Sequence, residues 1–271
     1  MKLRNKIAIA AVPAFVYLGN NIFDFTKIEI RNKNLSGLKI IHISDFHNRK
    51  LGINKKIIFK KVKNFDPDLI FITGDLIDGR KTDIEIALNF VANLKNISSG
   101  EIYYVPGNHE KASRVYPDLK MGLEKLGVNI GSYMGEKIFY RESPLTIYGL
   151  KDPRFFSIGG YLKDAIYKKK IREMDIDRSS YNILLAHRPE YLDEYSKKGF
   201  DLIFSGHAHG GQIRIPFVGG VLAPNQGFCP KLSEGIKQKR NSTMIISRGI
   251  GNSIFPVRIF NNPEIIFVEF K

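Results

Sequence analysis

The stretch 69-LIFITGDLID-78 decides the fold. Its first five residues are apolar on both alternations and rich in isoleucine, which predicts a short strand buried on both faces. The strand stops at Gly74 and gives way to Asp75 and Asp78. The same arrangement recurs along the chain. The run 39-KIIHIS-44 leads into Asp45 and His47, and 102-IYYVP-106 into Gly107-Asn108-His109-Glu110. Further on, 183-ILLA-186 leads into His187, and 202-LIFS-205 into 206-GHAH-209. Between these runs, segments 55–65, 83–97 and 116–127 place apolar residues at helical intervals. Strands alternating with helices predict an α/β fold. The tail changes character: 212–216, 243–247 and 263–270 read as strands without helices between them, so a partly antiparallel sheet is expected there. The Gly/Pro-rich stretch 216–230 reads as a long loop with no clear element.

Size and composition set the frame. A chain of 271 residues with 43% hydrophobic and 25% charged residues can bury an ordinary globular core. One cysteine, Cys229, excludes an intramolecular disulfide framework and a cysteine-based zinc site. The net charge of +15 favours polyanions, whether phosphorylated substrates, anionic lipid or nucleic acid. No nucleic-acid motif accompanies it, and aromatic residues are not interleaved with the basic clusters. At the N-terminus, Lys2, Arg4 and Lys6 precede the uncharged stretch 7–23. That pattern predicts a single membrane anchor with its basic end in the cytoplasm and the rest of the chain outside. A cleaved export signal is the second reading, and a short buried or interfacial helix, which Pro13 does not exclude, is the third. The expected division is an anchor and connector over 1–36, with 27–37 as a polar connector, and one catalytic domain over 37–271.

The strand ends carry the chemistry. In open α/β sheets the carboxyl ends of the strands form the ligand-binding edge. All histidines but His42 stand at such ends, beside Asp45, Asp75, Asp78 and Asn108. Imidazole, carboxylate and amide oxygen are donors for Mn, Fe, Zn or Mg. There are too many of them for one tetrahedral ion, and the set suits two ions sharing a carboxylate.

The ordered blocks D-x-H (Asp45, His47), G-D-x-x-D (Gly74, Asp75, Asp78), G-N-H-E (107–110), a lone His187 and G-H-x-H (206–209) resemble the calcineurin-like metallophosphoesterases. The continuation 206-GHAHGGQ-212 and the basic-plus-apolar N-terminus are most similar to its membrane-associated or exported phosphodiesterase branch. The resemblance implies a four-layer α-β-β-α sandwich of two mixed sheets. It implies two divalent ions, manganese favoured, one held by Asp45, His47, Asp75 and His209, the other by Asp75, Asn108, His187 and His207. Asp75 bridges, and His207 and His209 serve different ions from an extended backbone. A hydroxide bridging the ions is the implied nucleophile. His109 then serves as the acid for the leaving oxygen, oriented by Asp78. The implied reaction is phosphoester hydrolysis, expected on a diester. A lipid-linked or nucleotide-sugar-lipid diphosphate, such as UDP-2,3-diacylglucosamine, is the candidate substrate.

Other residues have plainer readings. His42 points opposite to Asp45 on its strand and reads as a core histidine. Glu110 reads as a supporting or helix-start acid. Arg49, Arg154, Arg188 and Arg248 lie near the motifs and are candidates to grip phosphate, Arg188 first because it abuts His187. Two competing functions are a catalytically silent anchored binding module, which would be expected to lack a ligand, and a nuclease.

Overall fold

The computed structural model describes residues 19–80, 82–156, 162–252 and 257–271. Two six-stranded sheets stack face to face. The first runs β1 (Asp24–Ile30), β16 (Glu264–Phe270), β2 (Lys39–Ile43), β3 (Leu69–Thr73), β4 (Glu101–Val105) and β5 (Asn129–Ile130). Strands β2 to β5 are parallel, and β16 enters antiparallel to β2. The second runs β14 (Gly235–Lys239), β15 (Ser242–Ile246), β9 (Leu202–Ser205), β8 (Tyr181–Ala186), β7 (Ser143–Leu150) and β6 (Glu136–Tyr140). Its centre, β15-β9-β8-β7, is parallel, with antiparallel strands at both edges.

Period-two alternation builds the layers. Ile41, Ile43, Ile70 and Ile72 face outward onto α1 (Asn54–Phe65), α2 (Ile84–Ile97) and α4 (Tyr116–Lys125), meeting Val62, Val91 and Leu119. Ile40, Leu69, Phe71 and Val105 face inward and pack on Ile183, Leu185, Phe204 and Ile245 of the second sheet. The other face of that sheet carries Leu184, Ile203 and Met244 onto α5 (Lys163–Glu173) and α6 (Leu192–Lys198). The molecule is therefore the four-layer α-β-β-α sandwich. His42 falls on the inward face, fully buried, its Nε2 2.8 Å from Thr73 Oγ1 and its ring edge-on to Phe204. It is the core histidine expected.

Two readings change, and a third lies largely outside the described residues. The polar connector is structural: residues 24–30 form β1, an edge strand parallel to β16. Edge strands tolerate outward charges such as Lys27 and Glu29, which disguised it. The loop 216–230 is not irregular: its β11 (Gly219–Gly220) pairs back onto β10 (Arg214–Ile215), which lies in the expected strand 212–216, and its β12 (Leu222–Ala223) pairs with β13 (Gly227–Phe228). Among the described residues no helix is long and apolar enough to cross a membrane. The proposed anchor 7–23 lies outside them up to residue 18.

Candidate metal centre

The loops that follow β2, β3, β4, β8 and β9 meet at one end of the sandwich. A short helix, α3 (Asn108–Ala112), opens directly after β4 and Gly107. Their backbone is sharply turned. Asp45, His47, Asp75, His207 and His209 all adopt positive φ, between 47° and 66°. Such residues persist only where their surroundings over-determine them, and they collect at functional sites. The His207–His209 segment is thus a turn and not the extended strand that was expected.

Two glycine contacts make the convergence possible. A Cβ at Gly206 would collide with Ser44 Oγ and Asp45 Oδ2, and one at Gly107 with Asp75 Oδ1. Only a residue without a side chain lets these loops touch.

Asp75 sits at the centre. Its Oδ1 accepts the His109 backbone N–H at 2.8 Å. Its Oδ2 faces His187 Nε2 at 3.2 Å and His47 Nε2 at 3.7 Å. Around it, Asp45, His47 and His209 each offer a donor atom within 4.8 Å of one another, and so do Asp75, His187 and His207. His207 and His209 belong to different clusters, as expected. His209 Nε2 lies 3.3 Å from both Asp45 Oδ1 and His47 Nε2. His207 Nε2 and Asn108 Oδ1 are buried with no hydrogen-bond partner among the described residues. Buried donors left unpaired at this density call for a cation, and oxygen and nitrogen donors fit a borderline or hard divalent ion.

Burial opposes charge on His187, yet Asp75 raises its imidazole to about 10, so it carries a proton that a bound cation would displace. Burial pushes His207 and His209 well below the ordinary imidazole range and His47 down to about 4, so all three are neutral. Burial also opposes charge on Asp75, yet His187, with His47 and His109, carries its carboxyl well below the usual range. Burial raises Asp45 to about 6, against the pull of His187 and with Asp75 adding to the rise. His187 donates from Nδ1 to the Thr73 carbonyl at 2.7 Å, which leaves Nε2 turned into the site.

Glu110 is the scaffold. Fully buried, it accepts backbone N–H groups from Asp75 (2.9 Å), Leu76 (2.7 Å), Ile77 (3.3 Å) and Gly107 (2.8 Å). It locks the Asp75 loop to the start of α3 and is a supporting acid, as expected. Asp78 is corrected. His109 Nδ1 accepts the Gly79 N–H at 3.0 Å, while Asp78 Oδ1 stands 3.7 Å away and binds the Arg80 backbone N–H at 2.8 Å. The loop is not helical, so Asp78 never swings beneath the ring. A backbone amide orients His109 instead, and the ring proton is left on Nε2.

The arginines sort cleanly. Arg188 is 2% exposed and is held by Asp152 at 2.5 Å and Glu190 at 3.2 Å, so it cannot reach a substrate. Arg248 pairs with Asp24 and Glu264, and Arg49 donates to the carbonyls of Ile250 and Asn20. Arg154 is the one of the four at the site. It lines a cleft of about 270 Å³ with Arg80, Asp75, Asn108, His109 and His207. A larger hollow of about 470 Å³, among Lys120, Tyr133, Lys151 and Lys170, contains none of the clustered donors. Arg258 had no sequence signal. Fully buried, it donates to the carbonyls of Arg248 (2.9 Å) and Gly251 (2.6 Å) and pins the segment beneath Asp45.

Residues 38–211 match the calcineurin-like phosphoesterase family. The chain belongs to that family. It is 30% identical to an uncharacterized metallophosphoesterase of Campylobacter jejuni over 86% of this chain, and spans 59% of that protein's length. With the uncharacterized metallophosphoesterase YkuE of Bacillus subtilis it shares 27% identity over 94% of this chain and 88% of that one. Solved structures that overlay on it include a phosphopantetheinyl hydrolase from Mycobacterium tuberculosis (14% identical, TM-score 0.49, 78% of this chain and 89% of that one). A dimetal phosphatase from Danio rerio also overlays (11% identical, TM-score 0.46, 79% of this chain and 88% of that one). Family and relatives make this metallophosphoesterase a phosphoric ester hydrolase.

Proposed function

We propose that this metallophosphoesterase is a phosphodiesterase with two divalent ions, manganese favoured. Asp45, His47, Asp75 and His209 hold one, and Asp75, Asn108, His187 and His207 the other. The observation that carries this is Asp75 Oδ2, one oxygen turned toward both His47 and His187. When bound, such a pair supplies an activated water as nucleophile and clamps the phosphoryl oxygens. The chain's own groups do the rest. Arg80 and Arg154, on the cleft wall, bind the remaining phosphate charge. His109 donates its Nε2 proton to the leaving oxygen, and the Gly79 N–H keeps that tautomer in place.

His109 also lies within 4.8 Å of donor atoms on His47 and Asp75, so its role is open to direct test. With Mn²⁺ and bis-p-nitrophenyl phosphate, His109→Ala is expected to cut turnover by roughly 10²- to 10⁴-fold. Bound metal is expected to stay at the native level. A parallel loss of metal would make His109 a ligand and remove it as the acid.

The substrate reading is a lipid-linked phosphodiester or nucleotide-sugar-lipid diphosphate, presented to a domain outside the membrane and anchored through 7–23. The basic residues Lys2, Arg4 and Lys6 ahead of that apolar stretch support this orientation. Hydrolysis of such lipids in mixed micelles, compared with soluble mono- and diesters, tests it.

A further inference from the structure

Two hairpins beside the cleft share one design. In the first, 216-PFVG-219 turns β10 into β11; in the second, 224-PNQG-227 turns β12 into β13. Both close with a backbone bond across the turn, Val218 N–H to Ile215 O at 3.1 Å and Gln226 N–H to Ala223 O at 3.2 Å. Both put proline second and a positive φ third, 67° at Phe217 and 62° at Asn225. That third position favours glycine or asparagine. Asn225 obeys the rule, and Phe217 breaks it. A bulky residue in that region is a steric outlier, and this one is also fully exposed, at 109%. Neither turn geometry nor core packing accounts for a phenyl ring there.

Its neighbours share the exposure. Phe228 is 79% exposed and Val218 67%, with Ile215 and Leu222 each at 49%. The ribbons are tied together, Val221 N–H donating to Ile213 O at 2.8 Å and Cys229 N–H to Val221 O at 2.9 Å. From Arg214 to Arg240 the bases are Arg214, Lys231, Lys237, Lys239 and Arg240. Arg214 pairs with Glu234, and Lys239 and Arg240 pair with Asp193, so Lys231 and Lys237 are the bases of this segment without an ion pair among the described residues. The second turn, Pro224 and Asn225, walls the catalytic cleft.

We propose that this pair of ribbons is an interfacial docking surface for an anionic lipid bilayer, with the Phe217 turn and Phe228 entering the headgroup–acyl boundary. Apolar tips on a segment whose Lys231 and Lys237 add positive charge suit that boundary, where burial and attraction to anionic lipid act together. Docking there sets the cleft mouth against the membrane. It rests on the membrane reading above but uses a surface separate from 7–23.

Cys229, exposed and the only cysteine, allows a site-specific test on the full chain. An environment-sensitive fluorophore on Cys229 is expected to shift to the blue on phosphatidylglycerol vesicles and to be quenched by nitroxide-labelled acyl chains. Phosphatidylcholine vesicles should give a much weaker response. Phe217→Asn converts the first turn to the sequence logic of the second, so the variant should fold at least as well. It is expected to move the docked-to-undocked ratio about tenfold toward undocked, the scale of withdrawing one phenyl ring from apolar contact. Its turnover of soluble bis-p-nitrophenyl phosphate should be unchanged. No quenching in the native chain, or equal quenching in Phe217→Asn, overturns the proposal. So does a shift that follows protein concentration without lipid, since a second copy would then cover the surface. Failure of soluble diester hydrolysis would instead strike the phosphodiesterase reading and leave docking standing.

Discussion

The two sheets bring different chemistry to the same cleft. The first brings both acids of the clusters, Asp45 and Asp75, together with His47, Asn108 and His109, and sets Glu110 beneath them. The second ends in imidazoles alone, His187, His207 and His209, and the buried acid that follows its strand β7, Asp152, is spent on Arg188. Neither end completes both clusters alone: Asp45 and His47 meet His209, and Asp75 meets His187 and His207. Carboxylates gathered without cations would repel one another, and buried neutral imidazoles without partners would waste their hydrogen-bonding groups. The division teaches that the cage is a property of the stacked sheets.

The strongest way to break the contrast is through the residue that faces both halves. Asp75→Ala is expected to lose both ions and at least ~10³-fold in kcat, since such ions contribute several kcal/mol to the transition state. His207→Ala touches one cluster and should lose one ion. Metal analysis of the two purified variants separates these outcomes, and equal losses would contradict Asp75 as the shared ligand.

Next in size is the second sheet's diverted acid. Arg188→Ala leaves Asp152 buried and unpaired, which costs ~3–5 kcal/mol. Urea unfolding should register that loss, while metal per folded molecule stays native. A drop in bound metal would show Asp152 or Arg188 acting on the cage.

The smallest effect sharpens the contrast between site histidines and His42. Burial lowers His42 to about 3, so the folded protein keeps it neutral while the unfolded chain takes up a proton below its ordinary 6.5. Its contribution is whole above that ordinary value and is lost as pH falls toward the folded one. Between about pH 7 and 5 the metal-free native chain should lose about 2 kcal/mol more than His42→Gln in urea unfolding. Parallel losses in both proteins would mean that His42 is not the buried neutral group.

Much of this was legible in the sequence because its cues are local. Double-sided apolar runs marked β2, β3 and β4, and helical spacing marked α1, α2 and α4. The ligand-type residues stood at the strand ends in order. What escaped reading depended on distant partners. β1 looked like a connector because the strand that pairs with it lies near the other terminus, Thr26 meeting Glu264 across 238 positions. Arg188 looked available because Asp152 stands 36 positions earlier.

The sequence by itself determined the donors and their order, since residue type and periodicity are properties of the chain. Only the tertiary structure decided which nitrogen of His109 is held, that Gly79 displaces Asp78 as its partner, and that Phe217 stands bare where Asn225 is at home. Those outcomes turn on contacts of a few ångströms between loops far apart in sequence, which exist only once the two sheets have packed.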